Sequence, residues 1–188
     1  MYRTIYKGGN AVGRSGKKAY QKDKKGNQQA FKKLYDKYAG YSLRTAYALT
    51  KNSADASDIV QETFIRVFRN IESYDMTKPF RPWFYQILVN ESRRYMQKKA
   101  KEAISIESEQ LLDHLNQQMD EEKDFEQLES ALDLLGEHHR TVLVLKYLNG
   151  FSEQEIADIL QLNINTVKSR LYKARQQLKA ALGGVVDE

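Results

Sequence analysis

The sequence is short of several residue types that build chemical sites. Its 188 residues include no cysteine, two prolines and three histidines. Without cysteine the chain can form no disulfide, thiolate metal site or cysteine nucleophile, and a reducing compartment is expected. Three histidines leave little for metal chemistry, so we predict neither a metal nor a cofactor.

The sequence also lacks long hydrophobic runs. The longest apolar stretches, such as Val142 to Leu145, are far shorter than the roughly 20 residues that a membrane span needs. The first ten residues, MYRTIYKGGN, contain no apolar signal segment. We therefore expect a cytoplasmic protein that does not insert into membranes.

Apolar spacing predicts the fold class. From about Asp23 apolar residues recur at intervals of three, four or one, and no stretch alternates as a strand would. Both prolines lie near residue 80, so no proline interrupts the rest of the chain. We predict an all-α protein of two small helical domains joined by an acidic linker, the second with a helix-turn-helix.

Charge is distributed in blocks although the net charge is only +5. The net charge is +9 over residues 1–37, +6 over 78–101, −11 over 102–137 and +4 over 138–182. Two basic surfaces separated by an acidic connector are typical of nucleic-acid binding rather than catalysis. The predicted organisation is a basic flexible tail (1–22), an N-terminal domain (23–101), an acidic linker (102–124) and a C-terminal domain (125–183).

The C-terminal domain carries the most specific pattern. Apolar residues from Phe125 predict one amphipathic helix, and Asn149 and Gly150 end a second. Ser152 and Glu155 predict a capping box that starts a short helix. After a tight turn a basic helix follows to about residue 182, so the domain has the plan of a helix-turn-helix.

One face of that last helix is polar and flanked by cations. At 100° per residue its apolar stripe faces away from groups that can read base edges, with arginines and lysines where the phosphates of a major groove would lie. A solvated face on a core helix is the alternative. The predicted duplex-DNA residues are Asn165, Thr166, Lys168, Ser169, Arg170, Tyr172, Lys173 and Arg175.

A helix starting at Ser53 or Asp55 has an acidic side. Opposite its apolar stripe it carries carboxylates and amides with Ile65 among them, which suits a basic protein partner. A merely solvated surface is the alternative. The polar residues of this side that we expect to bind protein are Asp55, Asp58, Gln61 and Glu62.

Aromatic and basic residues follow each other from Tyr74 to residue 101. Bases can stack on rings while cations track phosphates, so this composition suits single-stranded nucleic acid. Core aromatics followed by a solvated basic helix end are the alternative. The aromatic residues singled out are Tyr74, Phe80, Trp83, Phe84 and Tyr85, and the basic ones are Arg81, Arg93, Arg94, Lys98 and Lys99.

Three segments resemble one known family. SDIVQETFIRVF at 57–68, PFRPWFYQILVN at 79–90 and LNINTVKSRLYKAR at 162–175 are similar to the extracytoplasmic-function (ECF) group of bacterial RNA polymerase sigma factors. The resemblance covers about residues 22–183. It implies that the first domain binds the polymerase clamp and the melted minus-ten strand, and that the second binds the minus-thirty-five duplex and the polymerase flap.

The resemblance also assigns individual residues. It places Asp58, Ile59, Gln61 and Glu62 on the clamp-contacting helix, and the loop from Tyr74 to Lys78 with Phe80, Trp83, Asn90 and Arg94 at the minus-ten strand. Thr166, Lys168, Ser169, Tyr172, Lys173 and Arg175 fall on the recognition helix. At Asn163-Ile164-Asn165 the chain departs from the proline and glycine that members often have there, which leaves the helix tilt open.

The function that this resemblance implies is promoter recognition and transcription initiation for a specific regulon, of a stress or envelope response, without an active site. A stand-alone helix-turn-helix regulator is the alternative, although it would leave the acidic side and the aromatic-basic segment unused. A nuclease would need Asp55, Asp58 and Glu62 to hold Mg²⁺, and the sequence offers no ordered ligand set. The sequence leaves open the promoter consensus, the inducing signal and the presence of an anti-sigma factor.

Overall fold

The computed structural model describes residues 28–106, 132 and 134–181. Within the first of these ranges it describes side chains for residues 31–102. The helices are α1 (Gln28–Thr50), α2 (Ser53–Asn70), α3 (Phe80–Ile106), α4 (Glu137–Leu143), α5 (Glu153–Leu160) and α6 (Ile164–Ala181). No strand occurs in these ranges, and the predicted all-α class is confirmed. Three predicted segments lie wholly or mostly outside these ranges: the basic tail, the acidic linker and the helix expected from Phe125.

The first three helices form a bundle around aromatic side chains. Asn52 caps α2 by accepting a hydrogen bond from the backbone nitrogen of Asp55 (2.9 Å), one residue before the expected start. Pro82 lies in the first turn of α3, where its missing N–H has no helical partner to lose. The Phe84 ring packs against those of Tyr38 and Phe64, with centroid distances of 4.9 and 5.3 Å.

The C-terminal helices follow the predicted plan with one addition. The α4 helix continues into a π-helical turn, Val144–Leu148, which ends at Asn149 and at Gly150 with φ of 68°. The capping box is confirmed, because Ser152 and Glu155 each bond the other's backbone nitrogen at 3.2 and 2.8 Å. Gln161 then adopts left-handed backbone (φ 54°) in the turn before α6.

The two halves pack against each other instead of standing apart. Buried apolar residues of both form one continuous cluster, and the rings of Tyr85 and Phe151 meet across the boundary at 5.0 Å. Arg140 donates hydrogen bonds to the carbonyl oxygens of Leu135 at 3.2 Å and, across the boundary, Leu49 at 3.3 Å. The α4–α6 helices therefore sit on the surface of the α1–α3 bundle.

Candidate nucleic-acid and polymerase interfaces

The α6 helix presents the predicted polar face to solvent. Val167, Leu171 and Ala174 are fully buried, as the apolar stripe predicts. The residues opposite them are exposed or half-buried, and the Tyr172 ring is 59% exposed. All eight predicted duplex-binding side chains thus remain accessible on one helix of 18 residues.

The start of α6 is fixed by Asn163. Its side-chain oxygen accepts from the backbone nitrogen of Asn165 at 2.8 Å, and its carbonyl accepts from Thr166 and Val167 at 3.0 and 3.2 Å. The side-chain oxygen thereby satisfies a backbone donor that the helix start otherwise leaves open, and the carbonyl accepts the first hydrogen bonds of the helix. The departure from the family pattern at this turn therefore still gives a well-capped α6.

A cleft separates the first turn of α4 from α6, and it contains residues that the sequence analysis did not select. Glu137, His138 and His139 face Asn165, Ser169 and Lys173 across it. The His139 Nδ1 atom lies 2.9 Å from Oε1 of Gln177, which ties the two helices together. The only signal in the sequence was an adjacent histidine pair, which carries no spacing rule.

On α2 the structure corrects the predicted acidic side. Asp55 is only 8% exposed, with its two oxygens 2.6 Å from Nζ of Lys99 and 3.1 Å from the Tyr95 hydroxyl. Burial, and then the bond to Asp55, raises the pKa of Tyr95. Ile59 is 1% exposed and belongs to the core. Both residues are thus covered because α3 crosses this end of α2.

The remaining acidic side is accessible. Asp58 and Gln61 are exposed and Glu62 is half-buried. Glu62 pairs with Nε of Arg66 at 3.1 Å, and the same nitrogen lies 2.8 Å from the buried carboxylate of Glu91 on α3. Asp58, Gln61 and Glu62 thus form an accessible polar surface, which we call the α2 acidic surface.

The aromatic residues before and within α3 form a cluster inside the fold. Tyr74 and Phe80 are buried, and the Tyr74 ring lies 4.9 Å from the half-buried Trp83 ring and 5.6 Å from Phe80. The Tyr74 hydroxyl donates to the carbonyl oxygen of Lys78. In this arrangement Tyr74 and Phe80 support the loop and cannot stack on a base.

The same loop is tightened by Asp75. Its Oδ1 atom accepts from the backbone nitrogen and the hydroxyl of Thr77 at 2.9 and 2.7 Å. The hydrogen bond from the Thr77 hydroxyl is the first cause that lowers the pKa of the Asp75 carboxyl. The exposed part of the loop, from Asp75 to Pro79, is therefore an ordered turn beside α3.

The basic residues of α3 divide into two groups. Arg94 and Lys98 are exposed, as is the neutral Asn90, and the two cations pair with residues of their own helix, Glu91 at 3.2 Å and Glu102 at 3.6 Å. Two other arginines contact the C-terminal half. Arg93 lies 3.4 Å from Glu137, and Arg81 bonds the backbone carbonyl of Asn149.

Two further properties of the described ranges bear on the function. No helix there is long and apolar enough to cross a membrane. Within the same ranges no group of three or more His, Cys, Asp or Glu side chains is placed to hold a metal ion, and Asp55 is already paired with Lys99.

Two known families match the two halves of the chain. The family described as Sigma-70 region 2 matches residues 34–102, and Sigma-70, region 4 matches residues 125–178. The first match covers α1 to α3 up to the basic end of α3. The second ends within α6, after all its predicted duplex-binding residues.

Whole proteins of similar sequence and structure agree with these matches. ECF RNA polymerase sigma factor SigW of Bacillus subtilis is 31% identical over 180 residues, which cover 88% of this chain and 96% of SigW. SigM of the same organism is 33% identical over 161 residues, which cover 82% of this chain and 97% of SigM. Two solved structures have TM-scores of 0.70 and 25% identity. CnrH with the cytosolic domain of CnrY covers 92% of this chain and 99% of its own, and Bartonella quintana RpoE with the anti-sigma factor NepR covers 83% and 98%.

Proposed function

The chain belongs to the ECF group of RNA polymerase sigma factors, and we propose that its accessible faces divide promoter recognition between them. As a sigma factor it binds core polymerase and directs transcription initiation at the promoters of a specific regulon, consistent with a stress or envelope response. We assign it no active site, because RNA synthesis belongs to the polymerase. A factor that acts on polymerase and the chromosome works in the cytoplasm.

The minus-thirty-five duplex is assigned to α6. The observation that supports this most directly is the exposure of its polar face above the buried residues Val167, Leu171 and Ala174. Hydroxyl, amide and ammonium groups in the middle of that face can pair with base edges in a major groove about 12 Å wide. Lys168 and Arg175 on one flank and Arg170 on the other would reach phosphates.

This assignment is tested by substitutions at the middle and flank of α6. Ser169→Ala and Lys173→Ala should each weaken minus-thirty-five binding by about 1 to 3 kcal/mol and relax preference at particular bases. Arg175→Ala, the matched control, should weaken all sequences alike and lower the salt slope by about one. Equal loss of sequence preference in all three holoenzymes would contradict the assignment.

The minus-ten strand is assigned to the ordered turn before α3 and to the exposed residues of α3. Asn90, Arg94 and Lys98 offer an amide and two cations along one helix, beside the half-buried ring of Trp83. Single-stranded DNA binds to such surfaces by charge along its backbone and by stacking on accessible rings. The buried rings of Tyr74 and Phe80 support this surface from below.

Polymerase contacts are assigned to both halves. The α2 acidic surface suits a basic partner and is proposed to meet the clamp, whereas the C-terminal half is proposed to meet the flap. Because the similar RpoE was solved bound to an anti-sigma factor, we also propose an anti-sigma protein as a partner. Co-purification with core polymerase separates this function from that of a stand-alone regulator, which would not bind core.

A further inference from the structure

An apolar groove of about 840 Å³ lies between α1 and α2, and we call it the α1–α2 groove. Tyr35, Leu43 and Phe68 line it and are 46%, 44% and 52% exposed. The buried side chains of Val60 and Phe64 also line it. Contiguous apolar surface of this kind on a soluble protein marks a place where another segment or molecule binds.

The groove follows the two helices from the start of α1. The Phe31 ring, in the first turn of α1, lies 5.4 Å from the Phe68 ring near the end of α2. Leu43 and Ser57 line the opposite end. Twelve residues of helix separate Phe31 from Leu43, which corresponds to about 18 Å. The groove is therefore long enough for an extended segment of about five residues or for three turns of helix.

One edge of the groove is acidic. Gln61 lines the groove and also belongs to the α2 acidic surface, together with the exposed Asp58 and the half-buried Glu62. Arg69 is the one charged residue that lines the groove itself, and it follows Phe68 at the end where α1 begins. A segment with apolar side chains for the groove and cations for its acidic edge would complement both features.

The sequence that precedes α1 has this composition. Residues 1–27 contain eight basic residues and one acidic residue. The first seven, MYRTIYK, hold most of the large apolar side chains of this stretch and two of its cations. These residues are Met1, Tyr2, Ile5 and Tyr6, with Arg3 and Lys7. We call residues 1–7 the N-terminal segment.

The spacer between the N-terminal segment and α1 is long enough for the segment to return to the groove. It comprises residues 8–27 and includes five glycines. A random coil of 20 residues has a root-mean-square end-to-end distance of about 25 Å, which exceeds the length of the groove. Tethering at this distance gives an effective concentration of roughly a millimolar, so that even weak binding within one chain is populated.

We propose that the N-terminal segment binds in the α1–α2 groove of its own chain, with its apolar side chains against Tyr35, Leu43 and Phe68 and its cations at the acidic edge. The segment then competes with core polymerase for the α2 acidic surface. This competition rests on the proposed function, whereas binding in the groove does not. If the segment alone has a Kd of about 0.1 to 1 mM, it lowers the affinity for core by about two- to tenfold.

Paramagnetic broadening in the free, full-length protein tests binding in the groove. Because the chain has no cysteine, Thr4→Cys introduces a single spin-label site. Amide signals of Tyr35, Leu43 and Ser57 should broaden strongly, and those of α6 should not. Absence of broadening along the groove would overturn the proposal. Equal broadening in a mixture of spin-labelled chains and ¹⁵N-labelled chains would show binding to a second copy and would overturn it as well.

A substitution that fills the groove tests whether the groove itself is the site. Gly40 lines the groove, and a Cβ added there meets no atom within 4 Å apart from the backbone of its own helix. Leucine also favours a helix more than glycine does, so Gly40→Leu should fold. It should reduce the broadening at Tyr35 and Ser57 to the level seen on α6. Unchanged broadening at both would contradict binding in the groove.

Substitutions in the segment separate its apolar side chains from those of the spacer. The triple variant Tyr2→Ser, Ile5→Ser and Tyr6→Ser should lose the broadening along the groove. The matched control, Val12→Ser with Tyr20→Ser, removes apolar side chains of the spacer and should keep it. Equal broadening in the two variants would overturn the assignment of residues 1–7 as the bound segment.

Titration of core polymerase tests the competition separately. The triple variant without a spin label should bind core about two- to tenfold more tightly than the parent, and the spacer control should match the parent. Unchanged affinity in the triple variant would overturn the competition. If the parent and the triple variant both fail to bind core, the proposed function fails, while the broadening in the free protein still decides whether the segment binds in the groove. Weaker promoter binding by the triple variant, without broadening in the parent, would identify a DNA-binding arm and overturn the proposal.

Discussion

Charge reversal on the α2 acidic surface tests whether Asp58 and Glu62 bind core polymerase, in contrast to the buried Asp55, which stabilises the fold. We predict that Asp58→Lys with Glu62→Lys abolishes pairing with core polymerase while the protein stays folded. Opposing like charges at an interface cost several kcal/mol, and about 3 kcal/mol already corresponds to more than a hundredfold in Kd. Both side chains are accessible, so nothing in the core must rearrange.

The cost to folding can be worked from the contacts. Glu62 loses an exposed pair with Arg66, worth about 0.2 to 1 kcal/mol, and a lysine there adds a like-charge neighbour at about 0.2 to 0.5 kcal/mol. Asp58 lies in the second turn of α2, because the helix begins at Ser53, so its effect on the helix dipole is small. The total stays below about 2 kcal/mol, or a fall in Tm of less than about 8 °C.

The matched control is Asp55→Asn. Because Asp55 is buried and bonded to Lys99 and Tyr95, this change should cost about 1 to 3 kcal/mol of stability and leave affinity for core unchanged at a temperature where the variant is folded. The assay is a binding titration of labelled factor with core polymerase, alongside thermal melts. Unchanged core affinity in the double variant would refute the clamp assignment, as would equal loss in Asp55→Asn.

Three further outcomes are expected. Tyr38 has a buried hydroxyl with no hydrogen-bond partner among the described residues, and burial raises its pKa to about 12. A raised pKa means that stability is lost as the pH rises from about 10 to about 12, so Tyr38→Phe should melt higher at neutral pH and show a smaller fall over that range. Tyr74→Phe keeps the ring but removes the hydrogen bond to the Lys78 carbonyl, so it should slow promoter opening in a stopped-flow assay. A template already melted at minus-ten should restore part of the lost rate. Arg94→Ala should show no such rescue, because a phosphate contact is needed on either template, and rescue would contradict that role.

Local signals in the sequence predicted the C-terminal half closely. The capping box of Ser152 and Glu155 and the apolar stripe through Val167, Leu171 and Ala174 depend on residues within one or two turns. Such patterns fix which face of a helix is buried without reference to the rest of the fold. The exposed face of α6 followed directly.

The errors on α2 and before α3 have a tertiary cause. Helical spacing puts Asp55 on the polar side, but Lys99 and Tyr95 reach it from α3, and no local pattern announces a partner 40 residues away. Tyr74 lies in a polar loop and yet is 4% exposed, because α3 brings Trp83 and Phe80 against it. Aromatic composition alone does not tell a stacking platform from a core.

The packing of the two halves was also beyond the sequence analysis. The acidic stretch at 102–124 predicted a linker and separate domains, and nothing in the residues around Asn149 indicated a partner on α1. Contacts between distant segments depend on complementary surfaces, which composition does not encode. The charge blocks predict what each half binds but not how the halves meet.

The central claim is that this chain brings core polymerase to its promoters and captures the opened minus-ten strand. The most direct test is a permanganate footprint on promoters recovered from genomic DNA with the reconstituted holoenzyme. Core polymerase with the chain should make minus-ten thymines reactive, and core alone should not. Lys173→Ala should reduce this reactivity on the original promoter. On a promoter whose minus-thirty-five base contacted by Lys173 is changed, the variant and the parent should react alike. Equal reactivity with and without the chain, or opening unaffected by the minus-thirty-five sequence, would contradict the account.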